Sequence, residues 1–440
     1  MSEAATPVAE FEPGRIARAA ARGSGRSGLL VFVVCFVVYL AGIGLPATPQ
    51  AQFAPAETRI LLTTTSLIDD GNFELTNQYQ NRGWRAFGGS PVQPGGVLVN
   101  GRLIEPHGFL FPALLAPAYA LGGTALVQAL LALITALGMV AAAALARRLV
   151  PDPWASGAAI AIGCSPPLVI AATAIRPAAT CGAIVAAAAL LALRVRESPG
   201  TRPSLGAGTL LALLPWVGLA GVLPGIVIAV ALFRWLRRRS RGWIGLIAIE
   251  LVLISAVFYV SINARLFGGL TPMAASAISD PPTGAASVGD YIDRIPRLVE
   301  LFVTPQLGLL LTAPLLAMTF VSIALAWRSR RARLARVLPE AADVEVAVQL
   351  MAAICLAALI AAVFFLPSLS GLSPGEPLIV ALPTAAALSS WGMRRYPKLG
   401  VALAAVGVGL TLWLLIAARV AANSGLAPLS GPLPWSIFGG

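Results

Sequence analysis

The groups able to do chemistry gather between Glu57 and Pro112, the longest polar stretch of an otherwise apolar chain. Glu57, Asp69, Asp70, Glu74 and Glu105 stand there beside Arg59, Arg82, Arg85 and Arg102, with the only histidine, His107. Carboxylates can take a proton from a hydroxyl, and guanidinium forks suit phosphate oxygens. Two further polar points sit in short turns between apolar runs: Arg176, followed by Pro177, and Glu376 within Ser373-Pro374-Gly375-Glu376-Pro377. Cys35, Cys164, Cys181 and Cys355 all fall inside apolar runs without a CxxC pair, so they are expected to pack as free thiols and bind no metal.

The elements that must position these groups are membrane helices. Of the 440 residues 58% are hydrophobic and 11% charged, against about 25% charged in a soluble domain. The net charge of +12 is no sign of nucleic-acid binding, because the arginines cluster at the ends of apolar runs. Taking about 20 apolar residues per crossing, eleven helices are expected near 28–46, 124–146, 154–172, 178–193, 205–215, 218–233, 242–263, 306–327, 346–366, 378–391 and 399–418. The 205–233 region reads as a tight hairpin of two short helices around Pro215, Gly218 and Gly221.

With residues 1–27 as a cytoplasmic tail, most of the 31 basic residues fall on the inner side. The transmembrane domain then covers 28–418, with large outer loops at 47–123 and 264–305, and 419–440 is an extracytoplasmic tail. A bacterial cytoplasmic (inner) membrane is the expected site. In the first loop Ile60, Leu61, Thr64, Leu67 and Ile68 recur at helical spacing, which predicts a short surface helix ending at Asp70-Gly71-Asn72. Residues 108–123, interrupted by Pro112 and Pro117, predict a second interfacial or re-entrant piece.

The first loop resembles that of the GT-C superfamily, and within it the bacterial dolichyl-phosphate-mannose-mannosyltransferase-like group. The resemblance rests on Glu57 to Leu62, Ser66-Leu67, Asp70-Gly71-Asn72, and Leu75-Thr76-Asn77-Gln78-Tyr79, followed in order by His107-Gly108, LLPW (213–216), INARLFGGLTP (262–272) and SPGEPLIVALP (373–383). It departs at Ala56, where the family commonly carries the aspartate assigned as catalytic base, and at Thr58 and Arg59, which replace Pro-His. The resemblance implies an all-α polytopic fold whose first outer loop carries interfacial helices. It also implies transfer of a sugar from a polyprenyl-phosphate donor to a cell-envelope glycan, lipid or protein.

Such transfer needs a base for the acceptor hydroxyl, cations for the departing phosphate, and an apolar groove for the prenyl tail. Glu57 is the candidate base, with a helix-N-terminal charge as its plainer role. Arg59, Arg82, Arg85, His107 and Arg176 are candidates for the donor phosphate or sugar. Arg82 and Arg85 flank Trp84 and serve equally as lipid-headgroup anchors. Asp69, Asp70, Glu105 and Glu376 are secondary candidates, the first two favoured as helix-ending residues. No spacing demands a metal, though a divalent ion is left open. Glu250, the only acid inside an expected span, lies near Arg239 and Arg241 as partners. Two rival readings remain: a non-catalytic relative that binds lipid-linked sugar or a partner enzyme, favoured by Ala56, and a transporter or flippase of lipid-linked precursors.

Overall fold

A computed structural model describes residues 13–45, 52–87, 91–198, 200–237, 242–276, 285, 287–304, 308–331, 339–369, 372–373 and 375–423. The expected 419–440 tail lies almost wholly outside them, as do Arg239 and Arg241, the expected partners of Glu250. The chain is a helical membrane protein. Among the described residues six stretches are long and apolar enough to cross a bilayer: Leu110–Ala146, Pro177–Glu197, Leu219–Arg237, Ile247–Ala275, Asp343–Phe365 and Pro397–Arg419. Trp154–Gly163 and Pro166–Thr173, bent by 63°, make a seventh if they count as one broken span.

Helices occupy all eleven expected positions, but length alone qualifies only six or seven of them. The remainder include α8 (Thr201–Val217) and α16 (Leu382–Arg395), of 17 and 14 residues. At 1.5 Å per residue these reach about 26 and 21 Å, short of a hydrocarbon core of about 30 Å. The expected hairpin over 205–233 forms from α8 and α9 (Val222–Arg237), parted at Gly218.

Small residues let the helices approach. α4 (Leu110–Ala146) meets α7 (Pro177–Glu197) at Gly138, where an added Cβ would lie 2.7 Å from the Ala183 Cβ. α8 meets α10 (Gly242–Phe267) at Gly208, where a Cβ would lie 2.9 Å from the Ala248 carbonyl oxygen. Van der Waals contact between close backbones replaces the hydrophobic drive that a bundle in lipid lacks.

The break between surface and span falls inside α4. Pro112 and Pro117 both sit within regular helix, and the chain bends instead at Gly122 and Gly123, the latter at φ +63°. A left-handed residue is inexpensive only for glycine. The 110–121 arm packs Phe111 and Leu115 into one core cluster with Ile60, Leu61 and Leu62 of α2 (Pro55–Asp69). The buried residues of α2 include Thr63 and Thr64, whereas Ile68 is 39% exposed, so the expected apolar face stops short of its C-terminal turn.

Two short helices of the second loop, α11 (Val288–Ile292) and α12 (Arg297–Val303), are pinned to the end of α15 (Pro339–Ile360). There α15 loosens into a π turn over Ala361–Phe365, at the helix end where carbonyls look outside the helix for donors. Arg297 donates to the carbonyls of Leu366 at 2.8 Å and Pro367 at 3.3 Å, and Arg294 donates to Phe364. Arg297→Ala should therefore strand carbonyls at a cost of about 1–3 kcal/mol. Hydrogen exchange should show faster amide turnover across 288–303 and around the π turn, and unchanged rates would refute the latch.

Candidate active site

The first turn of α2 holds the centre together. Pro55 opens the helix, and Ala54 at the N-cap offers no side-chain acceptor. Glu57, three residues in, reaches back so that its Oε2 accepts the Ala54 N–H at 2.7 Å. Its Oε1 accepts the Ile175 N–H, also at 2.7 Å, from a turn 118 residues further along the chain. One carboxylate thus caps α2 and fixes the turn between α6 (Pro166–Thr173) and α7. Glu57 is only 5% exposed, and burial raises its proton affinity against the opposing pull of Arg176 and the two N–H bonds. Two N–H bonds use one lone pair on each oxygen, so accepting capacity remains on both.

Arg176 extends from that turn in the β conformation that a following proline enforces. Its guanidinium pairs with Glu376, whose other oxygen accepts the Ser373 N–H at 2.9 Å and hydroxyl at 2.8 Å. Arg176, half-buried like its ion-pair partner Glu376, also acts by its charge on the buried Glu57, so three distant parts of the sequence meet in one run of alternating charge.

A second polar cluster begins at Arg59, two residues beyond Glu57. Its Nε donates to the Gln93 carbonyl at 3.1 Å. Glu105, 2% exposed, accepts the Tyr79 hydroxyl at 2.6 Å and the Gly95 N–H at 3.1 Å. Burial pushes the Glu105 pKa up, and the Tyr79 phenol up as well. Gly95 leaves room for both side chains: a Cβ would lie 2.7 Å from Glu105 Oε2 and 3.2 Å from Arg59 Nη1, so a larger residue would push the two groups aside. His107 closes the group: its backbone N–H donates to the Glu105 backbone carbonyl at 2.8 Å, while its ring Nε2 is buried without a partner. Burial and the nearby Arg59 hold the His107 pKa down at about 4, so the imidazole is neutral at pH 7.

The other expected site residues lie apart. Arg82, at φ +57°, and Arg85, lying over the Trp84 ring at 5.6 Å, are both exposed on the loop and join neither cluster. Asp69 and Asp70 end α2 at its far end, about 18 Å along the helix from Glu57 by its rise. Glu250 faces outward from α10. Among the described residues no three His, Cys, Asp or Glu side chains stand together as a metal cage. Tyr79, Gly95 and Ser373 emerge only from the structure. Tyr79 stood in a quoted motif, but nothing local ties it to Glu105.

No known family profile matches the sequence, and no curated protein matches it. Among solved structures, ArnT from Cupriavidus metallidurans bound to undecaprenyl phosphate is similar over 92% of this chain and 73% of its own, at TM-score 0.54 and 14% identity. The same protein in its apo state gives a TM-score of 0.47. The Archaeoglobus fulgidus oligosaccharyltransferase gives 0.44 at 13% identity, with 55% of its own length covered. Only the first of these likenesses is close enough to bear on the architecture. Helices at the expected positions, the surface arm ahead of the second span and the ArnT likeness together show that the chain shares the fold of that structure.

Proposed function

We propose that this protein is a membrane glycosyltransferase that moves a sugar from a polyprenyl-phosphate donor to a cell-envelope acceptor. The observation carrying this reading is the run of alternating charge through the buried Glu57 and the half-buried Arg176 and Glu376, with the Arg59–Glu105–His107 cluster beginning on the same helix. It places a carboxylate of raised proton affinity against guanidinium groups at one end of an apolar bundle. Undecaprenyl phosphate in the fold neighbour supports a lipid phosphate as the anion. In this reading Arg176 and Arg59 stabilise the departing phosphate, and Glu57 takes the proton of the attacking hydroxyl. The Gln93 carbonyl holds the Arg59 guanidinium, and the Glu105 carboxylate adds the opposite charge nearby. The positive-inside pattern puts this end on the outer face of a bacterial inner membrane, with the N-terminus cytoplasmic.

A second reading has one observation behind it. Ala56, where the resemblance leads one to expect an acid, is exposed at the start of α2 and offers only a methyl group. A protein that binds lipid-linked sugar without transferring it would look the same at this position. Transport is disfavoured by Glu250, which faces outward instead of lining a path between helices.

Purified protein in nanodiscs, given radiolabelled polyprenyl-phosphate hexoses and pentoses with an envelope extract, should transfer label to the acceptor. Saturable binding of every donor without transfer would replace this reading with the non-catalytic one.

A further inference from the structure

A hollow of about 430 Å³ opens at the far end of α2, between its last turn, α3 (Thr76–Gln80), the 3-10 turn Gly83–Phe87 and the surface arm of α4. Asp69, Asp70, Gln78, Asn81, Phe87 and Tyr119 are among its lining residues. Its polar groups are ordered so that acceptors are left over. Asp70 Oδ2 receives the side-chain amides of Asn77, at 2.9 Å, and of Gln78. An ionised carboxylate can only accept, so the Gln78 amide nitrogen must face Asp70. Gln78 Oε1 is thereby left buried without a donor. Asp69, exposed at the rim, receives no hydrogen bond either. Phe87 and Tyr119 meet edge to face, with centroids 6.3 Å apart, and give the hollow an apolar wall.

A ligand for this place must carry several donors on one side and C–H surface on another. A sugar ring does both, and the volume falls in the range of small-molecule sites, about 300–1,000 Å³. We propose that the hollow is a carbohydrate subsite that holds a sugar unit of the acceptor about 18 Å along α2 from Glu57. This rests on the glycosyltransferase reading and narrows it, because an acceptor reaching both places is an oligosaccharide or polysaccharide. A peptide or a single lipid-linked sugar would not need it.

The test uses the full chain in nanodiscs and soluble hexasaccharides of arabinan, mannan and glucan type, observed by saturation-transfer NMR. At least one should bind. Asp69→Asn and Tyr119→Leu, at positions outside the buried core, should each weaken that binding by about tenfold or more, as loss of a charged hydrogen-bond partner or a ring wall implies. Glu57→Gln should leave it unchanged. The subsite is overturned if no hexasaccharide binds, if both hollow variants bind as well as wild type, or if only ethanolamine phosphate or Mg²⁺ responds to them. Hexasaccharide binding at the hollow with no transfer from any polyprenyl donor would sink the enzyme reading and keep the subsite. Transfer with kinetics indifferent to Asp69 and Tyr119 would do the reverse.

Discussion

Glu57→Gln should lower sugar transfer by about 10²–10⁴-fold, the usual contribution of a positioned general base, with undecaprenyl-phosphate affinity within about threefold of wild type. A pH profile separates a base from a mere strut. Burial puts the Glu57 pKa above its ordinary 4.5, and Arg176 is the largest force pulling it back. A base works deprotonated, so kcat/KM should fall on the acid side through a limb lying above pH 4.5. Arg176→Ala removes the restraining positive charge and leaves the Glu376 carboxylate, which pushes the same way as burial. The limb must then move to higher pH, in addition to a loss of about 10²–10³-fold from the missing phosphate cation. Glu57→Asp should retain the limb while losing rate. If Glu57 only braces the Ile175 turn, Glu57→Gln would lower thermal stability and lipid affinity, and the Arg176→Ala limb would stay where it was.

What local sequence encodes, and what it cannot, divides cleanly at these residues. The ETRILLTTTSLID period predicts a helix, and Pro55–Asp69 forms it. The apolar runs place helices because a chain in lipid must satisfy its own N–H and C=O groups. The surface arm over 108–123 was legible from its composition, but its break was assigned to prolines. Pro112 lies in the first turn, where proline is tolerated, and the helix runs regularly through Pro117, whereas the Gly122-Gly123 pair takes the backbone turn that kinks it. The site itself was only half legible. Glu57, Arg59, Glu105, His107, Arg176 and Glu376 stand out as polar residues in apolar surroundings. Their grouping depends on contacts 118 residues apart for Glu57 with Ile175 and 200 apart for Arg176 with Glu376. No periodicity carries such pairings. The pinning of the second loop by Arg294 and Arg297 is hidden for the same reason, since a π turn whose carbonyls accept from a distant loop has no sequence signature of its own.

His107 gives the second large effect, on stability. The ring nitrogen is buried and unpartnered, so the folded protein refuses a proton until about pH 4, whereas the unfolded chain takes it at about 6.5. Between those values the unfolded state binds more protons, and stability falls as pH falls, by about 3 kcal/mol in all. Glu57 and Glu105 act in the opposite sense. Their folded pKa values are raised, so the native state takes up protons first and gains stability as pH drops through them. The wild-type curve alone mixes these contributions, but the difference between wild type and His107→Asn isolates the histidine, the only one in the chain. Thermal melting in detergent should show that difference growing from pH 7 down to pH 4 and then levelling. Arg59→Gln should shrink it, because the guanidinium is the second cause of the depressed value. A difference independent of pH would mean that the imidazole reaches water in solution, and would remove His107 from the buried groups beside Arg59.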